Sequence, residues 1–361
     1  MISLRGAWAL ISLLGIGLLL RAQLIVGAES ADASNLYTDH LRHMGEAMIL
    51  VDHGFALYRE PYGTLIAHEP NVGAEHAVLF PERTAPYPPL SILVHWPWAQ
   101  LEGSGVLSPS TAHQGVVWMW TVVALIAALA VVRLFAPLPE IAQLWAGALA
   151  IPLLVGMGIN GFFDCAYLFA GIAACLFWRR QQPAAALGFL GLAAALHFRA
   201  AVFAPLGLVI VWEQRKNSRA LGLGALSGLG VIPSAIAAVM LAGSLGTIPA
   251  DNPVHYSHLK LALSLLVLVT AAAAVWLWRQ QERLVAATVV VAAVLAILER
   301  SHGWWHAGTL LAPGLILAAR PARVGWQWPV LLVWTIGSGY LAFRHPWSPF
   351  WEWVRFGLAA K

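Results

Sequence analysis

Charge is scarce in this chain. Only 11% of its 361 residues are Asp, Glu, Lys or Arg, against roughly a quarter in an ordinary soluble domain, and 60% are hydrophobic. That balance excludes a water-soluble fold, which cannot hide so much apolar surface. A bilayer can, and about 20 apolar residues carry a helix across its ~30 Å core. Net charge is only +4, with the basic residues scattered, so a nucleic-acid partner has no electrostatic footprint. Cysteine is almost missing. Cys165 and Cys175 share one apolar segment, spaced ~15 Å apart along a helix, beyond the ~7 Å that a disulfide spans; both read as small core residues. The Gly-x-Ser-x-Gly elbow, the His-Glu-x-x-His zinc motif and the Walker A loop are absent, which removes the chemistries they serve. No internal repeat and no Ser- or Gly-rich linker breaks the chain.

What is present is a succession of apolar runs. They predict an all-α polytopic membrane protein of about eleven segments: 7–27, 113–132, 141–157, 162–178, 183–197, 200–212, 220–242, 257–278, 283–298, 304–319 and 327–343. Met1–Val26 has the look of a signal peptide, but Arg21 and Gln23 follow the run without a small-x-small cleavage site, so it reads as a retained first helix. The eighteen tryptophans suit the membrane–water interface. With the N-terminus cytoplasmic, the inner loops collect Arg133, Arg179, Arg180, Arg215, Lys216, Arg219, Arg279, Arg283, Arg320 and Arg323, the positive-inside pattern. One membrane domain over 1–361 is expected, in a bacterial inner or plasma membrane, with an extracytoplasmic loop over 28–112 after the first helix.

Within that loop Ser34–Val51 reads as an amphipathic helix lying on the membrane surface. Leu41, Met44, Met48 and Val51 form its apolar stripe, and Asp39, His43 and Glu46 lie elsewhere on it. Pro88-Pro89 opens a short apolar stretch, Leu90–Leu101, too short to span and therefore re-entrant or interfacial.

The polar residues of interest fall almost all on the outer face. Asp39 stands near His40 and His43, sharing a helix face with His43 at i, i+4. A partly desolvated carboxylate there is a stronger base; the plain alternative is a solvated acid. Arg59 offers a donor fork for a phosphate, or pairs on the surface with Glu60 or Glu69. Tyr87 before a Pro-Pro pair is a stiff helix start. His197-Phe198-Arg199 separates two apolar runs. A cation at membrane depth costs roughly 2.5–3.5 kcal/mol on insertion scales and usually lines a polar cavity or binds an anion; snorkelling to the interface is the other reading. Glu299–His306 is the densest late polar cluster. His302 and His306 in it have the spacing of a metal pair, but no acidic third ligand follows within one turn after His306, so a phosphate or acceptor contact is the better reading. Arg344-His345 repeats the basic-plus-His pattern on the same face. Asp164 reads as a helix-start acid favoured by the dipole.

Taken in order, Tyr37-Thr38-Asp39, Gly54-Phe55-Ala56-Leu57-Tyr58, Tyr87-Pro88-Pro89-Leu90 and His197-Phe198-Arg199 with Pro205 resemble the membrane glycosyltransferases of the GT-C class. The likeness is to the polyprenol-phosphate-mannose-dependent mannosyltransferases and to the first mannosyltransferase of GPI-anchor assembly. It covers residues ~1–210 and is thin beyond them. The resemblance implies a polyprenyl-phosphate sugar donor, with mannose or another hexose as the sugar, and a lipid or glycan acceptor. It implies an inverting displacement in which Asp39 takes the acceptor proton and Arg199, Arg59, His302 and His197 hold the donor phosphate. His40, His43, Tyr87, His306 and Arg344 would contact acceptor or sugar. Where eukaryotic relatives carry an Asp-x-Asp pair, this chain has Asp39-His40-Leu41, so no metal and no cofactor is expected. The competing reading is a multi-pass lipid or solute transporter without transferase chemistry.

Overall fold

The computed structural model describes residues 36–66, 84–85, 87–159, 161–217, 256–298, 304–320 and 325–343, with isolated positions 222, 232–233 and 235–236. The expected span 7–27 lies outside the described residues, as does almost all of 220–242.

Among the described residues the protein is all-helical, without a strand. The order is α1 (Leu36–His53), a 3-10 turn (Gly54–Tyr58), α2 (Tyr62–Ile66), α3 (Pro89–Leu93), α4 (Trp96–Gly103), α5 (Pro109–Phe135), α6 (Glu140–Trp145), a π turn (Ala146–Ala150), α7 (Ile151–Ile159), α8 (Asp164–Arg179) and α9 (Pro183–Leu196). A second 3-10 turn (Phe198–Phe203), α10 (Ala204–Glu213), α11 (Tyr256–Arg279), α12 (Arg283–Leu298), a third 3-10 turn (Trp304–Leu311), α13 (Ala312–Ala319) and α14 (Gln327–Phe343) follow. Three stretches, Thr111–Phe135, Glu140–Gly158 and Leu261–Arg279, are long and apolar enough to cross a membrane. The π turn within the second has a local cause. Pro152, just after it, lacks an N–H and crowds the carbonyl one turn back, and a widened turn relieves that clash.

Helix starts follow side-chain chemistry. Ser108 Oγ accepts from the Thr111 N–H at 3.3 Å and Pro109 takes the first helical position of α5, where its missing N–H costs nothing. The apolar stretch after Pro88 is two short helices with a corner at Val94–His95, and Pro97 in the first turn of α4 keeps them from merging.

The core is packed by tryptophans. Trp145 stacks on Phe135 at 5.5 Å, and a Cβ on Gly314 would fall 2.4 Å from the Trp145 ring. The indole N–H groups of Trp145 and Trp334 donate to Thr335 and Thr270 at 3.3 and 3.2 Å. Both indoles are buried within the protein, each with a hydroxyl for its polar edge. Cys165 and Cys175 are buried and unbridged.

Basic helix ends are tied across the bundle. Arg179 Nη1 donates to the Leu134 carbonyl at 2.7 Å, Trp178 Nε1 to Glu213 at 3.4 Å, and Arg320 Nη1 to Glu282 Oε2 at 2.6 Å. The first two links bring the C-terminal ends of α5, α8 and α10 together, so Arg133, Arg179 and Arg215 belong to one end.

One expectation is corrected in part. The helix read over 34–51 is present from Leu36 to His53 as α1, but His43 and Glu46 on its polar face are not solvated. Glu46 is 1% and His43 4% exposed, while Val51 of the expected apolar stripe is 50% exposed. The reason is that partners bury the polar face: Glu46 meets Arg42, His43 and Tyr62 within the protein.

Candidate functional site

Two polar centres meet at a cage of aromatic and imidazole rings. The first lies in the bundle. α9 stops at Leu196, and His197 adopts an extended backbone, so its Nδ1 accepts from the Arg199 backbone N–H at 3.1 Å and caps the 3-10 turn. Arg199 is 3% exposed. Its Nη1 donates to Asp164 Oδ1 in a short ion pair, and Asp164 heads α8. A buried guanidinium requires such a partner, since an unpaired charge there is prohibitive. His197 Nε2 lies 3.0 Å from Arg199 Nη1 and 3.6 Å from the same carboxylate oxygen, so both ring nitrogens face this ion pair.

The second centre is on α1. His43 Nδ1 lies 2.9 Å from Glu46 Oε2, Tyr62 Oη donates to Glu46 Oε1, and Arg42 Nε stands 3.4 Å from that oxygen. Burial pushes the Glu46 carboxyl above its usual range, opposed by the Arg42 charge and the Tyr62 hydrogen bond. Burial and then the Glu46 charge push the phenols of Tyr58 and Tyr62 upward, so both stay neutral. Gly54, with φ +59°, turns the chain after α1 and lets Leu57 and Tyr58 fold back as buried residues. Tyr58 Oη is buried and has no hydrogen-bond partner among the described residues.

Tyr87 joins the centres. Its ring lies 5.1 Å from His43, 4.8 Å from Phe163 and 5.5 Å from His197. His43 also lies 5.1 Å from His95 and 5.0 Å from Phe163, and Phe163 stacks on His197 at 5.4 Å. His95 is a latch. Trp120 Nε1, a donor only, reaches His95 Nε2 at 3.2 Å, so the proton is on Nδ1 and goes to the Ser91 carbonyl at 3.0 Å.

Neither a family model, nor a curated protein, nor a solved structure matches this chain.

The residues nominated from sequence fare unequally. His43, Tyr87, His197 and Arg199 come together although they span some 150 positions. Arg59 is exposed at the end of the first 3-10 turn, on a different footing from the buried Arg199. Asp39 and His40 occupy the first turns of α1 and His306 the third 3-10 turn, with their side chains outside the described residues; His302 and Arg344 lie outside them altogether. The third 3-10 turn does approach the cage. A side chain at Gly308 would meet Tyr167 Oη at 3.1 Å, and the Tyr167 ring lies 5.2 Å from His197. Among the described residues no three His, Cys, Asp or Glu side chains gather as a metal would need.

Several members were not nominated. Glu46 was readable, three residues after His43 on one helix. His95 had a weaker signal, a lone imidazole inside an apolar run. The pairing of Asp164 with Arg199 had none, since the two are on different elements.

Proposed function

We propose that the chain is an integral membrane glycosyltransferase of GT-C type, moving a hexose, mannose by likeness, from a polyprenyl-phosphate donor to a lipid or glycan acceptor on the extracytoplasmic face. About eleven spans with the N-terminus inside complete this reading. The observation that supports it best is the meeting of the first polar loop, through Tyr87 and His43, with the His197–Arg199 element between later helices. A transferase of this kind needs a proton acceptor and an anion-binding cation close together, and the approach of these elements supports that arrangement.

In the proposed reaction Arg199 carries the donor phosphate, with Arg59, His302 and His197 as further candidates. Asp164 holds the guanidinium in place and balances its charge before the donor arrives. The acceptor oxygen attacks the anomeric carbon, the bond to the phosphate oxygen breaks, and polyprenyl phosphate departs with inversion. Fixed donors aimed at the developing phosphate charge supply the largest share of such catalysis. Asp39 is the base nominated from sequence.

Purified protein, radiolabelled polyprenyl-phosphate sugars and a membrane lipid extract test the proposal. Donor-dependent formation of a new glycolipid is expected, and Asp39→Asn should abolish it while leaving expression intact. Uptake of donor or solute into proteoliposomes with no new glycolipid would favour a transporter instead.

A further inference from the structure

We infer that the end of the bundle where α10 and α11 finish binds headgroups of anionic phospholipids, at the pairs Trp212–Arg215 and Trp278–Arg283. The inference rests on the membrane reading alone and is independent of the transferase reading.

Packing puts the cations at one end. The bonds from Arg179 to Leu134 and from Trp178 to Glu213 draw the C-terminal ends of α5, α8 and α10 together. The chain entering α13 passes Tyr167 at Gly308 and Trp145 at Gly314, and Trp145 stacks on Phe135, the last residue of α5. Arg320, just past α13, therefore lies at that same end. Its bond to Glu282 brings in the turn between α11 and α12.

Charge there is one-sided. Arg133, Arg180, Arg215, Lys216, Arg279 and Arg283 are exposed, against the exposed acids Glu140 and Glu213. Glu213 accepts from Trp178, and Glu282 is buried and held by Arg320. An anion approaching this end meets cations first.

Two helices finish in the same order. On α10, Leu208 and Trp212 are each more than half exposed, and the Arg215 guanidinium lies over the Trp212 ring at 4.4 Å. On α11, Leu268, Val275 and Trp278 are each more than half exposed, and the Arg283 guanidinium lies over the Trp278 ring at 5.3 Å. Their spacing keeps these apolar residues on one face of each helix. Aliphatic surface, then indole, then cation is the order of hydrocarbon, interface and headgroup across a leaflet. A soluble polyanion would have no use for the apolar approach, so the pattern favours a lipid.

The arginines are also oriented. A guanidinium stacked on an indole is held by cation–π attraction. Arg215 Nη1 donates to the Trp212 carbonyl at 2.8 Å, one of its several donors, and the fork suits phosphate oxygens. Net charge then selects the lipid. Phosphatidylglycerol keeps its negative charge, whereas the choline of phosphatidylcholine cancels it.

The test titrates the full-length protein in detergent with phosphatidylglycerol or phosphatidylcholine of identical chains, read by native mass spectrometry and by the thermal unfolding midpoint. Wild type should bind phosphatidylglycerol about tenfold or more tightly than phosphatidylcholine, with the preference shrinking as salt screens the exposed charges. The double variant Arg215→Gln, Arg283→Gln should lose about fivefold per cation removed, the usual worth of a cation at a membrane surface. Should that variant lower the lipid-free midpoint, the single variants give the same reading, each losing about fivefold. Arg133→Gln with Arg180→Gln removes equal charge from the same end, leaves both stacked pairs intact, and should lose clearly less. Equal affinity of wild type for the two lipids overturns the inference. So does an equal loss in both double variants, which would mean diffuse surface charge instead of sites at the tryptophans. Displacement of phosphatidylglycerol by inorganic phosphate alone would overturn the lipid assignment.

Discussion

The rings of Tyr87 and His197 meet edge-on at 5.5 Å, one from the polar loop ahead of α3 and the other from the break between α9 and α10. Through this contact Tyr87 packs on the bundle and links the two polar centres.

Tyr87 is expected to hold the loop through its ring. Tyr87→Phe keeps the ring contacts to His43, Phe163 and His197 and should keep the loop seated better than Tyr87→Ala. Tyr87→Ala removes three ring contacts, each worth about 0.5–1.5 kcal/mol beyond the area buried. Limited proteolysis of the purified protein should then cleave the first polar loop markedly faster in Tyr87→Ala alone; equal cleavage in both variants would show that the ring does not seat the loop.

The ion pair of Asp164 and Arg199 should show strong coupling in stability. Removing one partner leaves the other charge buried and uncompensated, a cost of about 3–5 kcal/mol. Asp164→Asn and Arg199→Gln should each lower the thermal unfolding midpoint in detergent substantially, and the double variant should lose much less than their sum. Additive losses would mean that the two charges do not depend on each other.

Glu46 should make stability depend on pH in a defined direction. Burial lifts its folded-state pKa above the usual 4.5, so the folded protein holds this proton more tightly than the unfolded chain. The contribution is complete below the unfolded value and is lost as pH rises from about 4.5 through the higher folded value, because the slope follows the difference in bound protons. Unfolding midpoints recorded from pH 4 upward should fall over that window in wild type and flatten in Glu46→Gln. A wild-type curve that rises there would contradict the direction.

Much of the architecture was legible because hydrocarbon imposes simple rules. The apolar runs at 113–132, 257–278, 283–298 and 327–343 reappear as α5, α11, α12 and α14 with ends shifted by a few residues. Pro88-Pro89 did begin a short helix, and His197 did end one. The helix at α1 was also legible, but not the burial of His43 and Glu46 on the face that looked wet. Amphipathicity records that two faces differ, and it does not say which is covered. Tyr62 covers Glu46, and Tyr87 and Phe163 cover His43; nothing local to 34–51 announces them.

Composition and the run of apolar residues determined by themselves that this chain is helical and where most helices lie, since backbone polar groups in an apolar medium must be satisfied within each segment. The same sequence nominated His43, Tyr87, His197 and Arg199 one by one. Only the tertiary structure decided that they share a cage, that Arg199 answers to Asp164, and that Glu46 stands behind His43 as a buried acid. Those relations depend on distances between side chains on separate elements, and on the cost of a charge left without a partner, quantities that exist only once the helices have packed.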